Sequence, residues 1–372
     1  MMMKIIELNF YLGGGGASRL MADLSNQYAS DKDNNVIAVS VIESETAGNN
    51  FISFKKDLIP SVKYIALNKK SGLGLASLWS VYRLIKKERP DVVHLHANIL
   101  LLLLPVLFCR KVNYVHTIHT LVTRQYPQGI IKRIANWLYR NGKVIPVTIS
   151  QECHESYKDC FGRQEDILIT NGRESLKTTE KLSLVKKELE DIGVSQGSIV
   201  FLHVARHHPV KNHDRMFNTF QRLSNEGIDY QLIVIGDHYD IYEKQFRFHK
   251  QIHLIGARTN IGDYMSFADF FVLTSDKEGL PLSLLESMSM GVIPVCTPAG
   301  GIKDVLRNGE NGFVSKEVSD ESYYQIVKYA LQHRDEISKQ AIINEYKEKY
   351  SMEVCAKHYM NIYNGTDEQH KY

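Results

Sequence analysis

The chain has 372 residues, 44% hydrophobic and 23% charged, with 24 Gly and 9 Pro. At roughly 100–200 residues per domain that length predicts two globular domains, and the composition excludes disordered, collagen-like and disulfide-rich classes. Charge is unevenly spread: residues 1–170 hold 21 Lys+Arg against 14 Asp+Glu (net +7), and the remainder 24 against 28 (net −4), giving +3 overall.

The first apolar stretch is interrupted by Glu7 and Asn9 and lacks a small-residue cleavage site, so no signal peptide is expected. Short Val/Ile/Leu-rich runs follow at residues 4–10, 36–42, 62–67, 92–95, 114–118, 144–149 and 167–170. Such near-continuous apolar runs fit parallel strands covered on both faces. Helical patterns lie between them, as at residues 75–87 and 130–139, so the series predicts a doubly wound α/β sheet. The apolar run 99–109 is too short to span a bilayer and is broken by Pro105.

Residues 174–197 are polar and free of strand pattern, which predicts a linker between a domain at 1–173 and another at 198–350. The second domain repeats the alternation, with strand patterns at 199–205, 231–235, 253–255, 270–273, 293–296 and 312–314. Two Rossmann-like halves predict a cleft where the carboxyl ends of both sheets face each other. The tail, 351–372, has an apolar stripe through Val354, Tyr359 and Ile362 and reads as a closing helix that could pack back on the N-terminal domain. Cys109, Cys153, Cys160, Cys296 and Cys355 are odd in number and without paired spacing, which suits a reducing, cytoplasmic setting.

Several motifs suggest chemistry. Gly13-Gly14-Gly15-Gly16 ends the first strand and leads into a helix, where glycines admit close backbone approach and a helix N-terminus offers N–H groups to an anion. No acidic residue closes the second strand, so the dinucleotide fingerprint is incomplete. After the strand at 270–273, Glu278 and Glu286 are separated by seven residues, with Pro281 placed to open a helix. Backbone N–H groups of Leu282 to Leu284 would then be free for an anion. Spacing alone fits a surface helix with two unrelated glutamates equally well. The cluster His203, Arg206, His207, His208 and His213 lacks a Cys or carboxylate at ligand spacing, so no metal is expected there. Asp31-Lys32-Asp33, the one D-x-D string, reads as a turn.

Residues 253–314 resemble the donor-binding region of the retaining GT-B glycosyltransferases, family four. Glu278 to Glu286 matches that family's E-x7-E motif, and Gly300-Gly301-Ile302-Lys303-Asp304 resembles the segment after it. The similarity extends to Gly15-Gly16-Ala17-Ser18-Arg19, to His116-Thr117-Ile118-His119, to Asn171-Gly172, and to Ala205-Arg206 with Lys211-Asn212, and so covers most of the chain. Ala205, Asp304 and Ser18 depart from the usual Gly, Glu and acidic residue.

The resemblance implies a retaining, metal-independent glycosyltransferase that moves a sugar from a nucleotide-diphosphate sugar, its co-substrate, to a glycan acceptor, with no further cofactor. It implies Arg206 and Lys211 as the clamp on the departing diphosphate, where fixed cations stabilise charge that develops in the transition state. Glu278 would bind the donor sugar's hydroxyls and Glu286 the ribose, while His119 would act from the acceptor side. Gly15, Gly16, Asn171, Gly279, Leu280, Leu282 and Ser283 would complete the donor contacts. Bacterial surface polysaccharide synthesis is the implied setting. A nucleotide-sugar 2-epimerase of the same fold and a non-catalytic sugar-nucleotide-binding module remain alternatives.

No acidic residue lies between Asp91 and Glu152, whereas Arg110, Lys111, Arg124, Lys132, Arg133, Arg140 and Lys143 do. Such one-sided charge attracts anionic partners. Within it, Ile130, Ile134, Trp137 and Leu138 fall at helical spacing with Lys132, Arg133 and Arg140 on the flanks. That pattern predicts either a core helix or one lying in an anionic membrane surface beside a lipid-linked acceptor. Nucleic acid is not an expected partner.

Overall fold

A computed structural model describes residues 3–13, 15–42, 53–67, 75–96, 98–105, 112–246 and 249–366. Gly14, Cys109, Arg110 and Lys111 lie outside these residues. The chain forms two compact units, Met1–Arg173 with Met352–Tyr372, and Glu174–Ser351.

The first unit is a seven-stranded parallel sheet of β1 (Met3–Asn9), β2 (Asn34–Ser40), β3 (Lys63–Ala66), β4 (Val92–His96), β5 (Asn113–Ile118), β6 (Ile145–Thr148) and β7 (Ile167–Leu168). Their spatial order is β3-β2-β1-β4-β5-β6-β7. Successive side chains on a strand point to opposite faces, so Ile5, Val36, Ala38 and Val92 enter one core while Ile6, Ile37, Val39 and Val93 enter the other. Helices Gly16–Ser30 and Met352–Tyr363 cover the first of these faces, through Leu20, Leu24 and Tyr28 on one and Cys355, Tyr359 and Ile362 on the other. The closing helix is therefore part of the first unit.

The second unit is a six-stranded parallel sheet of β8 (Val200–Val204), β9 (Gln231–Ile235), β10 (Ile252–Gly256), β11 (Phe270–Leu273), β12 (Ile293–Cys296) and β13 (Phe313–Val314). Its order is β10-β9-β8-β11-β12-β13. The rings of Phe201 and Phe270 stack across neighbouring strands with centroids 4.8 Å apart. Every apolar run read as a strand in the sequence overlaps one of these thirteen strands.

Residues 174–197 are not a free linker. They include helix Leu182–Asp191, whose Val185 and Leu189, one turn apart, are buried in the second unit's core. Asp263 accepts from the Thr179 backbone N–H at 2.6 Å and from its hydroxyl at 2.7 Å, and Glu188 pairs with Arg258 at 2.7 Å. Leu182, Leu184, Val185 and Leu189 make no clean helical stripe among the charges, and Leu184 is exposed, yet the i,i+4 pair Val185 and Leu189 suffices to anchor the helix.

Helix Ile130–Arg140 turns inward only half of the expected stripe: Leu138 is buried and Ile134 packs against the core, whereas Ile130 and Trp137 do not. Ala135, Leu138 and Tyr139 are buried, because Tyr139 reaches His116 Nδ1 at 2.7 Å and the Tyr126 hydroxyl at 3.0 Å beneath it. Ile130 and Trp137 are left 73% and 46% exposed. Among the described residues no helix is long and apolar enough to cross a membrane. Cys153, Cys160, Cys296 and Cys355 are buried free thiols.

Candidate functional site

In the second sheet the crossover from β8 runs to one side and that from β11 to the other. The carboxyl ends of these two neighbours therefore form the switch point, where open α/β sheets place their ligands. Residues 205–212 follow β8 and residues 274–281 follow β11.

These two segments are tied together from below. Asp276 N–H donates to the Val210 carbonyl at 2.8 Å, and the Thr274 hydroxyl donates to the Lys211 carbonyl at 3.0 Å. Buried Arg215 donates to the Thr274 carbonyl at 2.7 Å and pairs with Asp276 at 2.8 Å. Asn212, at φ 46°, caps helix His213–Asn225 by accepting from Arg215 N–H and donates to Asp276 as well. A charge-assisted, partly buried network of this kind holds its members in one geometry.

On that base Lys211 Nζ meets Glu278 Oε1 at 2.6 Å, and the Ser275 hydroxyl donates to the same oxygen at 2.5 Å. The two residues are brought together across the switch point although 67 positions separate them. Arg206 is exposed and has no side-chain partner among the described residues, so its guanidinium is available to an incoming anion. Beyond Glu278 the chain is pressed against the loop after β12, where Gly301 N–H donates to the Gly279 carbonyl at 2.6 Å. Leu280 is buried, Pro281 is the N-cap residue, and Leu282 and Ser283 are the first two residues of helix Leu282–Ser289. Their N–H groups belong to the first turn, which has no partner within a helix. Glu286 is half-buried in that helix, one turn beyond Leu282.

The histidines below this site are structural. His203 Nδ1 bonds the Val272 carbonyl at 2.8 Å, its Nε2 lies 3.2 Å from His213 Nε2, and Tyr239 OH bonds His213 at 2.7 Å. Burial holds His203 down at about 4, and burial with the neighbouring His203 and His207 holds His213 down at about 2.

In the first unit the switch point lies between β1 and β4. Gly15 and Gly16 are exposed at the start of helix Gly16–Ser30, and a Cβ on either would meet nothing within 4 Å. Gly15 is extended, at φ −175°, so the fold itself does not require glycine at these positions. Asn171 is buried and its Oδ1 has no partner among the described residues. His119, just past β5, is half-buried.

A polar cluster beside His119 escaped the reading of the sequence. Glu7 on β1 and His94 and His96 on β4 are fully buried. His96 Nε2 is 2.5 Å from Glu7 Oε2, and His96 Nδ1 is 3.3 Å from His119 Nε2. His94 Nε2 bonds the Thr117 hydroxyl at 2.7 Å, which in turn bonds Tyr359 OH at 2.8 Å, and Tyr363 OH bonds His94 Nδ1 at 2.7 Å. Burial pushes the Glu7 carboxyl up, but His94 and His96 outweigh it and hold it at about 2. Burial pushes His96 down to about 4 and His119 well below the ordinary imidazole range. The available signal was an acid inside an apolar strand and a His-x-His pair, which period-2 alternation puts on one face.

Comparison with known proteins agrees on one family. Residues 185–349 match the family model for glycosyl transferases group 1, and residues 14–172 match that for glycosyltransferase family 4. The chain is 24% identical over 256 residues to an Escherichia coli UDP-Gal:alpha-D-GlcNAc-diphosphoundecaprenol alpha-1,3-galactosyltransferase, covering 64% of this chain and 66% of that protein. It is 26% identical over 192 residues to N-acetyl-alpha-D-glucosaminyl L-malate synthase of Bacillus anthracis, covering 49% of each. These matches thus span from half to just under two thirds of those relatives. Among solved structures, HepE of Anabaena in complex with UDP and glucose aligns with a TM-score of 0.77 at 16% identity, covering 98% of this chain and 100% of that one. A glycosyltransferase from Rickettsia africae aligns with a TM-score of 0.80 at 17% identity, covering 99% of each.

Proposed function

The chain belongs to the family-four glycosyltransferases of GT-B fold, and from that premise we propose that it transfers a sugar from a nucleoside-diphosphate sugar to a glycan acceptor. The observation that carries this reading is the Lys211–Glu278 pair at the β8–β11 switch point, with Arg206 exposed on the same loop as Lys211. A diphosphate leaving group gains charge as the glycosidic bond breaks. Arg206 and Lys211 supply fixed cations to it, while Glu278 orients Lys211 and offers its second oxygen to a donor hydroxyl. Gly279, Leu280, Leu282 and Ser283 bring backbone to the phosphates, and Glu286 takes the ribose. In the first unit, the resemblance to family four assigns Gly15, Gly16 and Asn171 to donor recognition and His119 to the acceptor side of the reaction.

Retention is what the resemblance to family four implies, and with Arg206 and Lys211 set against the charge of the leaving group the reaction needs no divalent ion. The first unit takes the acceptor. The E. coli relative's name specifies a diphosphoundecaprenol-linked acceptor, which supports a lipid-linked glycan here and a place in bacterial surface polysaccharide synthesis. The outward face of helix Ile130–Arg140 supports the same view. Exposed Ile130, Ile131 and Trp137 alternate there with exposed Arg133 and Arg140, the pattern of a helix seated in an anionic cytoplasmic leaflet.

A thermal-shift screen of nucleoside diphosphates and their sugars tests the central claim. A ligand at one hundred times its dissociation constant stabilises the folded state by about 2.7 kcal/mol. A diphosphate should raise the melting temperature, and a donor with acceptor should be turned over equally well in EDTA. No shift with any diphosphate would sink the transferase reading, and activity abolished by EDTA and restored by manganese would sink metal independence.

A further inference from the structure

Glu7, His96 and His119 form a line of three side chains running from the buried centre of the first sheet to its carboxyl edge. The links are 2.5 Å from Glu7 Oε2 to His96 Nε2 and 3.3 Å from His96 Nδ1 to His119 Nε2. The His96 and His119 rings are stacked 5.6 Å apart and 29° from parallel. Glu7 is ionised and can only accept. His96 must therefore carry its proton on Nε2, and burial keeps it neutral, so its Nδ1 can only accept in turn. His119 must then carry its proton on Nε2. That leaves the unshared pair on His119 Nδ1, which has no partner among the described residues.

We propose that Glu7 and His96 are positioning residues that fix the Nε2–H tautomer of His119, so that His119 Nδ1 stands ready to accept a hydrogen bond from a sugar hydroxyl. The inference deepens the transferase reading and rests on it for the identity of the ligand. The physical logic is that of any imidazole oriented by a carboxylate, where the group behind the ring decides which nitrogen is basic. Here the orientation passes through a second imidazole.

Two further contacts hold the first links in place. Tyr363 OH lies 2.7 Å from His94 Nδ1 and 3.3 Å from Glu7 Oε1, so the carboxylate's other oxygen also has a donor. His94 sits 4.0 Å, ring to ring, beside His96 and is itself fixed through Thr117. The ligating atoms of Glu7, His94 and His96 lie within 4.8 Å of one another, close enough to surround a metal ion. Direct contact of His96 Nε2 with Glu7 at 2.5 Å instead leaves no room for an ion between those two atoms.

Protein labelled with 15N in its histidine rings tests this without any substrate. Long-range proton–nitrogen spectra of the wild type, assigned by loss of a signal in His119→Asn, should show His119 protonated on Nε2 with a pyridine-type Nδ1. Glu7→Gln or His96→Gln should convert that single tautomer into a mixture. If wild-type His119 is protonated on Nδ1, or if both folded variants keep the original tautomer, the proposal is overturned. Should neither variant fold, the wild-type spectrum decides alone. A second arm uses UDP-glucose hydrolysis: Glu7→Gln should lower turnover at least about tenfold with KM for UDP-glucose unchanged. A raised KM with unchanged turnover would overturn the positioning role. Wild-type protein that neither binds nor hydrolyses any nucleotide sugar would refute the transferase reading, while the tautomer measurement would still stand.

Discussion

Gly300 lies against the backbone of Glu278 so closely that a Cβ on it would stand 1.9 Å from the Glu278 carbonyl oxygen. Gly300 also has φ +56°, a conformation side chains disfavour. Gly300→Ala must therefore push the 278–280 segment away and carry the Glu278 carboxylate from Lys211. The expected result is a loss of about 1–3 kcal/mol of stability together with loss of diphosphate binding, read by thermal melts with and without UDP. Full binding in a folded variant would show that the Glu278 loop need not be held there.

Arg206 and Lys211 should respond differently to removal. Arg206 is exposed and without a side-chain partner among the described residues, so Arg206→Ala should change stability by less than about 0.5 kcal/mol. Turnover should still fall ~10²–10³-fold. Lys211→Ala removes the partner of the partly buried Glu278 carboxylate and should lower both stability and turnover. Denaturant melts and steady-state kinetics on the same preparations separate the two, and matching stability losses would contradict the contrast.

Acid should weaken the second unit in a defined window. His203 titrates near 4 in the folded state because burial, with the charge of Lys211, disfavours its imidazolium. Its ordinary value is about 6.5. Between these values the unfolded chain binds the extra proton, so stability falls as pH drops below about 6.5. The loss reaches at most roughly 1.4 kcal/mol per pH unit for this group and levels off below about 4. His213, held down at about 2 by burial and by His203 and His207, extends the loss to lower pH. A melting temperature that is flat between about pH 6.5 and about pH 4.5 would contradict neutral histidines in the core.

The outward face of helix Ile130–Arg140 makes a further prediction. Arg133→Glu with Arg140→Glu should cut partitioning onto vesicles containing anionic lipid by roughly 10–30-fold, at about 1 kcal/mol per basic residue. Trp137→Ser should weaken it at all salt concentrations. Nucleotide binding should be unaffected in both variants. Wild-type protein that fails to sediment with such vesicles at low salt would mean that this face has another partner.

Strands were legible in the sequence because parallel strands bury both faces and so print unbroken Val/Ile/Leu runs such as residues 231–235. Arg206, Lys211, Glu278 and Glu286 were picked out in the sequence only through their resemblance to family four, because the spacing alone fits a surface helix with two unrelated glutamates. What pairs with what was not legible: Lys211 and Glu278 meet only because β8 and β11 are neighbours, and sheet order is a long-range property. Helix Leu182–Asp191 was missed because two apolar residues anchor it. Glu7 was read only as a break in the first apolar stretch and His94 was passed over inside a strand run, and only their joint burial against Tyr363 shows that each is there for the others.

The first unit is finished by the last helix of the fold. Tyr359 and Tyr363 close the network of His94 and Glu7, and Met352 N–H donates to the Arg173 carbonyl at 3.1 Å, where the chain had left that unit. During synthesis, residues 3–173 therefore emerge with an apolar face still bare, and with Glu7 Oε1 and His94 Nδ1 still without the Tyr363 hydroxyl that meets them. They must wait while the whole of residues 174–351 is made before the helix that covers them exists. The nascent chain spends that interval with the Glu7 side of the sheet uncovered, a stage at which a chaperone has a surface to hold. A truncation after residue 351 would leave the protein in that state permanently.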